Sequence, residues 1–196
     1  MENLAFQCLQ CGKCCNPGQE DPEANHFIPI YLGEVDRLRQ IAEERHLTIL
    51  LEPDLMYFDE LNNRLIIVTY ALNVDNGGCP FYASNCTIYR QRPITCKAYP
   101  LTIFQMGETT GMILKPECSF VQKHSDKLKE LDYFETGDVF GDEFPFSREI
   151  QIIGNAISTK ILQLESEGKI RVPVKAPVEI SEETKMMEKV QLDSLQ

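Results

Sequence analysis

Cys8-Leu-Gln-Cys11-Gly-Lys-Cys14-Cys15 carries four thiols within eight residues, three of them recurring at every third position. Thiolates two residues apart can converge on one metal ion, because the intervening turn brings both sulfurs to one side. Gly12 supplies the backbone freedom such a knuckle needs. Neighbouring side chains point apart, so Cys14 and Cys15 need not serve the same ion. The next residues, Asn16-Pro17-Gly18 and an acidic polar stretch, read as loop that holds little structure unless something ties it down.

A second group lies downstream in Cys79-Pro-Phe-Tyr-Ala-Ser-Asn-Cys86-Thr-Ile-Tyr-Arg-Gln-Arg-Pro-Ile-Thr-Cys96-Lys-Ala-Tyr-Pro100, and Cys118 follows it. Pro80, Pro93 and Pro100 fix turns beside the cysteines and limit the entropy lost in assembling a site. Joining the two groups closes a loop of about sixty residues, a cost that grows only slowly with length. A bound structural zinc is worth on the order of 10–16 kcal/mol in apparent binding energy, so metal capture prevails. The expected ligands are Cys8, Cys11, Cys14, Cys15, Cys79, Cys86, Cys96 and Cys118.

Working outward, 196 residues suit one domain with an added tail: residues 1–168 as a cysteine-cluster domain and 169–196 as a loosely attached charged segment. No run of eighteen apolar residues exists, so no membrane-spanning helix is expected. Met1-Glu-Asn-Leu-Ala-Phe lacks a basic and then apolar leader, which points to a cytoplasmic protein. In that reducing compartment eight cysteines read as metal ligands rather than disulfides. The net charge of −11 argues against nucleic acid, whose phosphates reward Lys and Arg.

The periodicity predicts a helix from Pro29 to about Leu51, with Val35, Leu38, Ile41 and Ala42 on one face. Arg64 to Leu72 reads as one buried strand. Residues 79–100 read as knuckles and short turns. Leu101–Gln105 and Met112–Lys115 form a hairpin around the loop Gly107–Gly111. Residues 119–134 read as helix, Phe134–Phe146 as an acidic aromatic loop, and Ser147 as the cap of an amphipathic helix ended by Gly168. The expected fold is α+β: a small cysteine-knuckle metal domain with a short β-sheet or hairpin and packed helices.

The opening run is similar to the start of a bacterial ferredoxin motif, departing where Cys15 follows Cys14 at once. The wider pattern resembles the zinc- or iron-chelating CxxCxxCC domains, the YkgJ-type cysteine-cluster proteins. Carrying that resemblance are Cys8-x2-Cys11-Gly-x-Cys14-Cys15, the helix from Pro29, Cys79-Pro-Phe, Cys86-x-Ile-Tyr89, Arg92-Pro93-x2-Cys96 and Tyr99-Pro100. Lys97 stands where an Arg is usual, and Tyr82 where Leu is common. The resemblance spans roughly the first 120 residues. It implies a metal or iron–sulfur site, with flagellin lysine methylases among longer relatives.

Eight cysteines and three scattered histidines favour a thiolate-only site, open to zinc or to a [4Fe–4S] cluster. Three functions follow. One is a metal or cluster protein that transfers electrons or anchors a substrate. Another, from the longer relatives, is an S-adenosylmethionine-dependent protein lysine N-methyltransferase, though no glycine-rich strand-to-helix loop is found. The third is a zinc-stapled protein-interaction module. Each implies a protein partner or substrate that the chain does not name.

His26, His46 and His124 read as surface or helix-end residues, and Tyr89 and Tyr99 as packing around the knuckles. Asp138, Asp142 and Glu143 read as a solvent-facing acidic loop. Arg90 and Arg92 read either as capping ion pairs or as charges offsetting the thiolates. No catalytic residue is assigned, although Cys15 or Cys118, if unligated, could serve as a nucleophile.

Overall fold

The computed structural model describes residues 4–16, 26–74, 78–106, 109–174, 178 and 182–195. The chain divides into two compact units. The first comprises Met1–His26 and Val74–Ile152, the second Phe27–Asn73 and Ile153–Gln196. Pro17, Gly18, Gly107 and Glu108, read from sequence as loop residues, lie outside the described set.

In chain order the elements begin with β1 (Phe27–Tyr31), α1 (Leu32–Glu44), β2 (Leu51–Pro53), β3 (Met56–Asp59), β4 (Arg64–Ile67) and β5 (Thr69–Asn73). Around the cysteines come β6 (Tyr82–Ala83), β7 (Asn85–Cys86), α2 (Ile94–Ala98), β8 (Leu101–Met106) and β9 (Thr109–Leu114). Then follow α3 (Ser119–Lys123), α4 (Ser125–Leu128), α5 (Tyr133–Val139), α6 (Phe144–Ser166), α7 (Glu182–Met186) and β10 (Lys189–Gln191). The α+β class stands.

In the second unit β5 lies between β1 and β2, both antiparallel to it, and Phe27 sits opposite Asn73. Pro29, expected to open a helix, lies in β1, an edge strand where a missing N–H costs little. The helix starts three residues later and buries the four residues the periodicity selected, Val35, Leu38, Ile41 and Ala42. The apolar run from Arg64 serves two sheets rather than one. It breaks at Val68, whose N–H bonds Leu55 O, and β4 then joins β3 and β10 while β5 joins β1 and β2.

Ile66, Val68, Ile161, Leu164, Ile170, Val172 and Leu192 form this unit's core. Ile170, Val172 and Leu192 belong to the segment read as a loosely attached tail, and β10 pairs in parallel with β4. Gly168, at φ +69°, ends α6 as expected, with its N–H on Glu165 O and that of Lys169 on Leu164 O.

In the first unit β8 and β9 form the expected hairpin with Leu101 opposite Leu114, and pairing runs on to Met106 and Thr109. The helix expected over 119–134 is two short pieces, α3 and α4. The acidic aromatic stretch contains α5, capped by Asp132, whose side chain accepts from Phe134 N and Glu135 N while Glu135 accepts from Asp132 N. The helix expected to begin at Ser147 begins at Phe144. Ser147 is buried, its Oγ 3.4 Å from Leu101 O. Leu101, Cys118, Val121, Leu128, Val139 and Phe140 make this unit's core, with Leu4, Phe6 and Tyr99 packed against it.

Candidate metal centre

All eight cysteines lie in the first unit, and all are free thiols. Their assembly begins with Phe6. Its N–H bonds Val139 O at 2.7 Å, and its ring lies 5.0 Å from both Phe120 and Phe140. From that anchor the chain reaches Gly12, at φ +83°, whose carbonyl accepts from Cys15 N and Asn16 N. The resulting turn brings the sulfurs of Cys14 and Cys15, read as pointing apart, to 4.0 Å. Two sulfurs of a tetrahedral zinc site with Zn–S of about 2.3 Å stand at roughly 3.8 Å.

Three contacts seat this turn on the downstream group. Gly12 lies so close to Tyr82 that a Cβ there would stand 2.6 Å from the ring's Cζ. Cys79 N–H donates to Cys15 O at 2.6 Å. At Gly78 a Cβ would lie 2.9 Å from Cys15 O and overlap the Asn16 side chain. Farther back, Cys11 Sγ is 3.7 Å from Ser119 Oγ, beside Cys118.

The downstream thiols sit on tight backbone. Cys79 and Tyr82 bracket a turn closed by Tyr82 N on Cys79 O, and Cys86 ends the β6–β7 hairpin, which turns through Ser84 at φ +60°. Cys96 lies inside α2, and Cys118 immediately precedes α3. Backbone N–H groups favour the thiolate at three of these positions: Phe81 for Cys79, Ile88 for Cys86, Phe120 and Val121 for Cys118. Each donor includes the residue two positions on, the local signature of a knuckle.

Burial dominates the thiols' proton affinities. It pushes Cys79 up to about 11 and also raises Cys86, Cys96 and Cys118. Cys14 is the exception, lowered to about 7, chiefly by its contact with Cys15, which is raised in turn. Negative charge on Cys14 raises Cys15, Cys79, Cys86, Cys96 and Cys118; Cys8 acts on Cys86, and Cys11 on Cys118. Cys14 is thus the electrostatic hub of thiols from both parts of the chain.

Several residues differ from their sequence reading. Tyr99 is packed against the core, but its hydroxyl is buried without a hydrogen-bond partner, and Cys14, Cys118 and Cys11 all lie within its electrostatic reach. Glu143, read as solvent-facing, is buried with Oε2 unpartnered, whereas Asp138 and Asp142 are exposed. His124 stacks on Phe120 with ring centroids 4.7 Å apart, and His46 is exposed. Burial of one carboxylate in an acidic run leaves no period to read. The isolated Tyr99 was nameable, but not its missing partner.

Among the described residues, no three Cys, His, Asp or Glu side chains are placed to hold an ion. The thiols share a neighbourhood rather than a completed coordination shell. The donor chemistry nonetheless fits a soft metal or an iron–sulfur cluster: thiols alone, backbone amides that favour their charged form, and an orphaned Tyr99 hydroxyl that a metal-bound thiolate would satisfy.

Residues 7–123 match the family model CxxCxxCC, described as "Putative zinc- or iron-chelating domain". The chain belongs to the CxxCxxCC family. The matched span holds all eight cysteines and ends with α3. Zinc or iron chelation is the chemistry the CxxCxxCC description carries, and an all-thiol donor set suits either metal. No curated protein and no solved structure matches the chain.

Proposed function

We propose that this chain is a metal-binding protein whose cysteine cluster holds a [4Fe–4S] centre, serving electron transfer or the anchoring of a protein substrate. The observation that carries the reading is the reach of Cys14, which links thiols more than eighty residues apart in sequence. When bound, such a cluster supplies one-electron chemistry or an open iron for a substrate atom. The chain's own residues assemble and desolvate the thiols, and eight free thiols persist in a reducing cytoplasm. No helix of the described residues is long and apolar enough to cross a membrane.

Metal and acid-labile sulfide analysis of anaerobically purified chain tests this. Iron and sulfide in equal amounts are expected, with both reduced in Cys14→Ala and Cys86→Ala. Full metal content in Cys86→Ala beside its loss in Cys11→Ala would break the shared centre. Zinc without sulfide would replace the cluster by a closed structural zinc site.

A further inference from the structure

Arg92 acts on Cys14, Cys86 and Cys96, in every case favouring the thiolate. Its guanidinium is held by a single residue. Nε donates to Tyr89 O at 3.0 Å, and Cζ lies 3.8 Å from the centroid of the Tyr89 ring. Both contacts leave the terminal Nη groups unspent, and among the described residues Arg92 forms no salt bridge. The capping ion pair expected from sequence is therefore absent among them. The buried acid in its field, Glu143, has its Oε2 unpartnered, so it does not consume those donors either.

A planar guanidinium stacked on a ring has lost much of its rotational freedom before it meets a partner. Its charge then stands ready beside a group that is neutral as thiols and anionic once loaded. Four thiolates around a divalent zinc, or around a [4Fe–4S] core of the same charge, leave two negative charges. The chain as a whole, at −11, offers them no general compensation. Burial raises the cost of that charge, and a fixed local cation offsets it.

We propose that Arg92, stacked on Tyr89, is the built-in counter-charge of the thiolate centre, a positioning residue whose free Nη donors serve the metal-loaded form. The inference rests on the thiolate-centre reading above. It differs from a structural role in what it asks of the side chain. Stapling the 89–92 turn needs the Nε bond and the flat stack, which Lys cannot reproduce. Supplying charge needs only a cation.

The test uses the full chain as wild type, Arg92→Gln and Arg92→Lys, loaded with zinc and titrated against a chromophoric chelator. Unfolding of the metal-free proteins monitors the fold. Arg92→Gln should lose about 10–100-fold in zinc affinity, the usual effect of removing a group that supports metal ligands, while Arg92→Lys stays within about threefold of wild type. With a cluster loaded, Arg92→Gln should also have the more negative reduction potential, since a cation is gone. Equal affinities for wild type and Arg92→Gln, or a Lys variant as weak as the Gln one, would overturn the proposal. Should Arg92→Gln fail to fold, the Lys comparison decides alone. A wild-type chain that takes up neither zinc nor a cluster would remove the parent reading, and this inference with it.

Discussion

Gly78 occupies a left-handed backbone conformation, φ +79°, against the turn that presents Cys14 and Cys15. An L-residue pays about 1–2 kcal/mol there before any clash. Gly78→Ala should therefore destabilise the metal-free chain by at least that much and lower its metal content although no ligand is lost. Gly33→Ala, whose Cβ would meet nothing within 4 Å, is the neutral control. Thermal unfolding with metal analysis reads both.

Glu143 shows what burial does to a single carboxyl. Desolvation raises it from 4.5 to about 7, Asp142 adds to the rise, and Arg92 opposes it. The folded chain thus holds this proton more tightly than the unfolded one, so its contribution to stability falls as pH rises between about 4.5 and 7. Glu143→Gln should remove that part of the slope. Denaturant midpoints of wild type and variant, compared across this range without metal, check the sign.

At the scale of elements, the N-terminal arm is held by its Phe6 ring and one backbone bond. Phe6→Ala should cost about 2 kcal/mol, below the roughly 3–5 of a fully buried phenylalanine, because Phe6 is half-buried. Faster alkylation of Cys8 and Cys11 would show that the arm has come loose; unchanged rates would deny Phe6 this anchoring part.

The same elements show what the sequence made legible. The α1 face and the hairpin at Leu101 and Leu114 were readable because apolar period reports burial directly. The break at Val68 was not, since a β-branched run looks alike whether one sheet or two receive it. Helix α5 left its signal in Asp132 and Glu135, a capping box three residues apart that the surrounding acidic residues obscured. In the site, cysteine spacing anticipated a meeting of the two thiol groups. It did not anticipate the Tyr82 seat under Gly12 or the orphaned Tyr99 hydroxyl, because distant pairing has no local period.

At the scale of the whole molecule, each unit has its own core, and in the second Asp59 ties distant segments together. This fully buried carboxylate accepts from Asn62 Nδ2, Arg64 Nε and the Arg171 N–H at 2.7, 3.1 and 3.0 Å. Burial pushes it up, but those donors outweigh burial and hold it below its usual 3.8. Its contribution is therefore present above that value and lost as pH falls through the lower folded one. Asp59→Ala, which strands Arg64, should cost about 3–5 kcal/mol at neutral pH and weaken the acid sensitivity of unfolding below about pH 4. Acid titration followed by circular dichroism measures both.

The pairing of Phe27 with Asn73, continued by Val74 N on His26 O, clasps the start and finish of a long detour in the chain. Of the sixty or so residues separating Cys15 from Cys79, only about sixteen lie outside that detour. Once the clasp shuts, the entropy of bringing the two thiol groups together falls by about 1 kcal/mol. Capture of the ion should accordingly trail the zipping of those two strands during refolding, and loosening them should slow loading without touching a single sulfur.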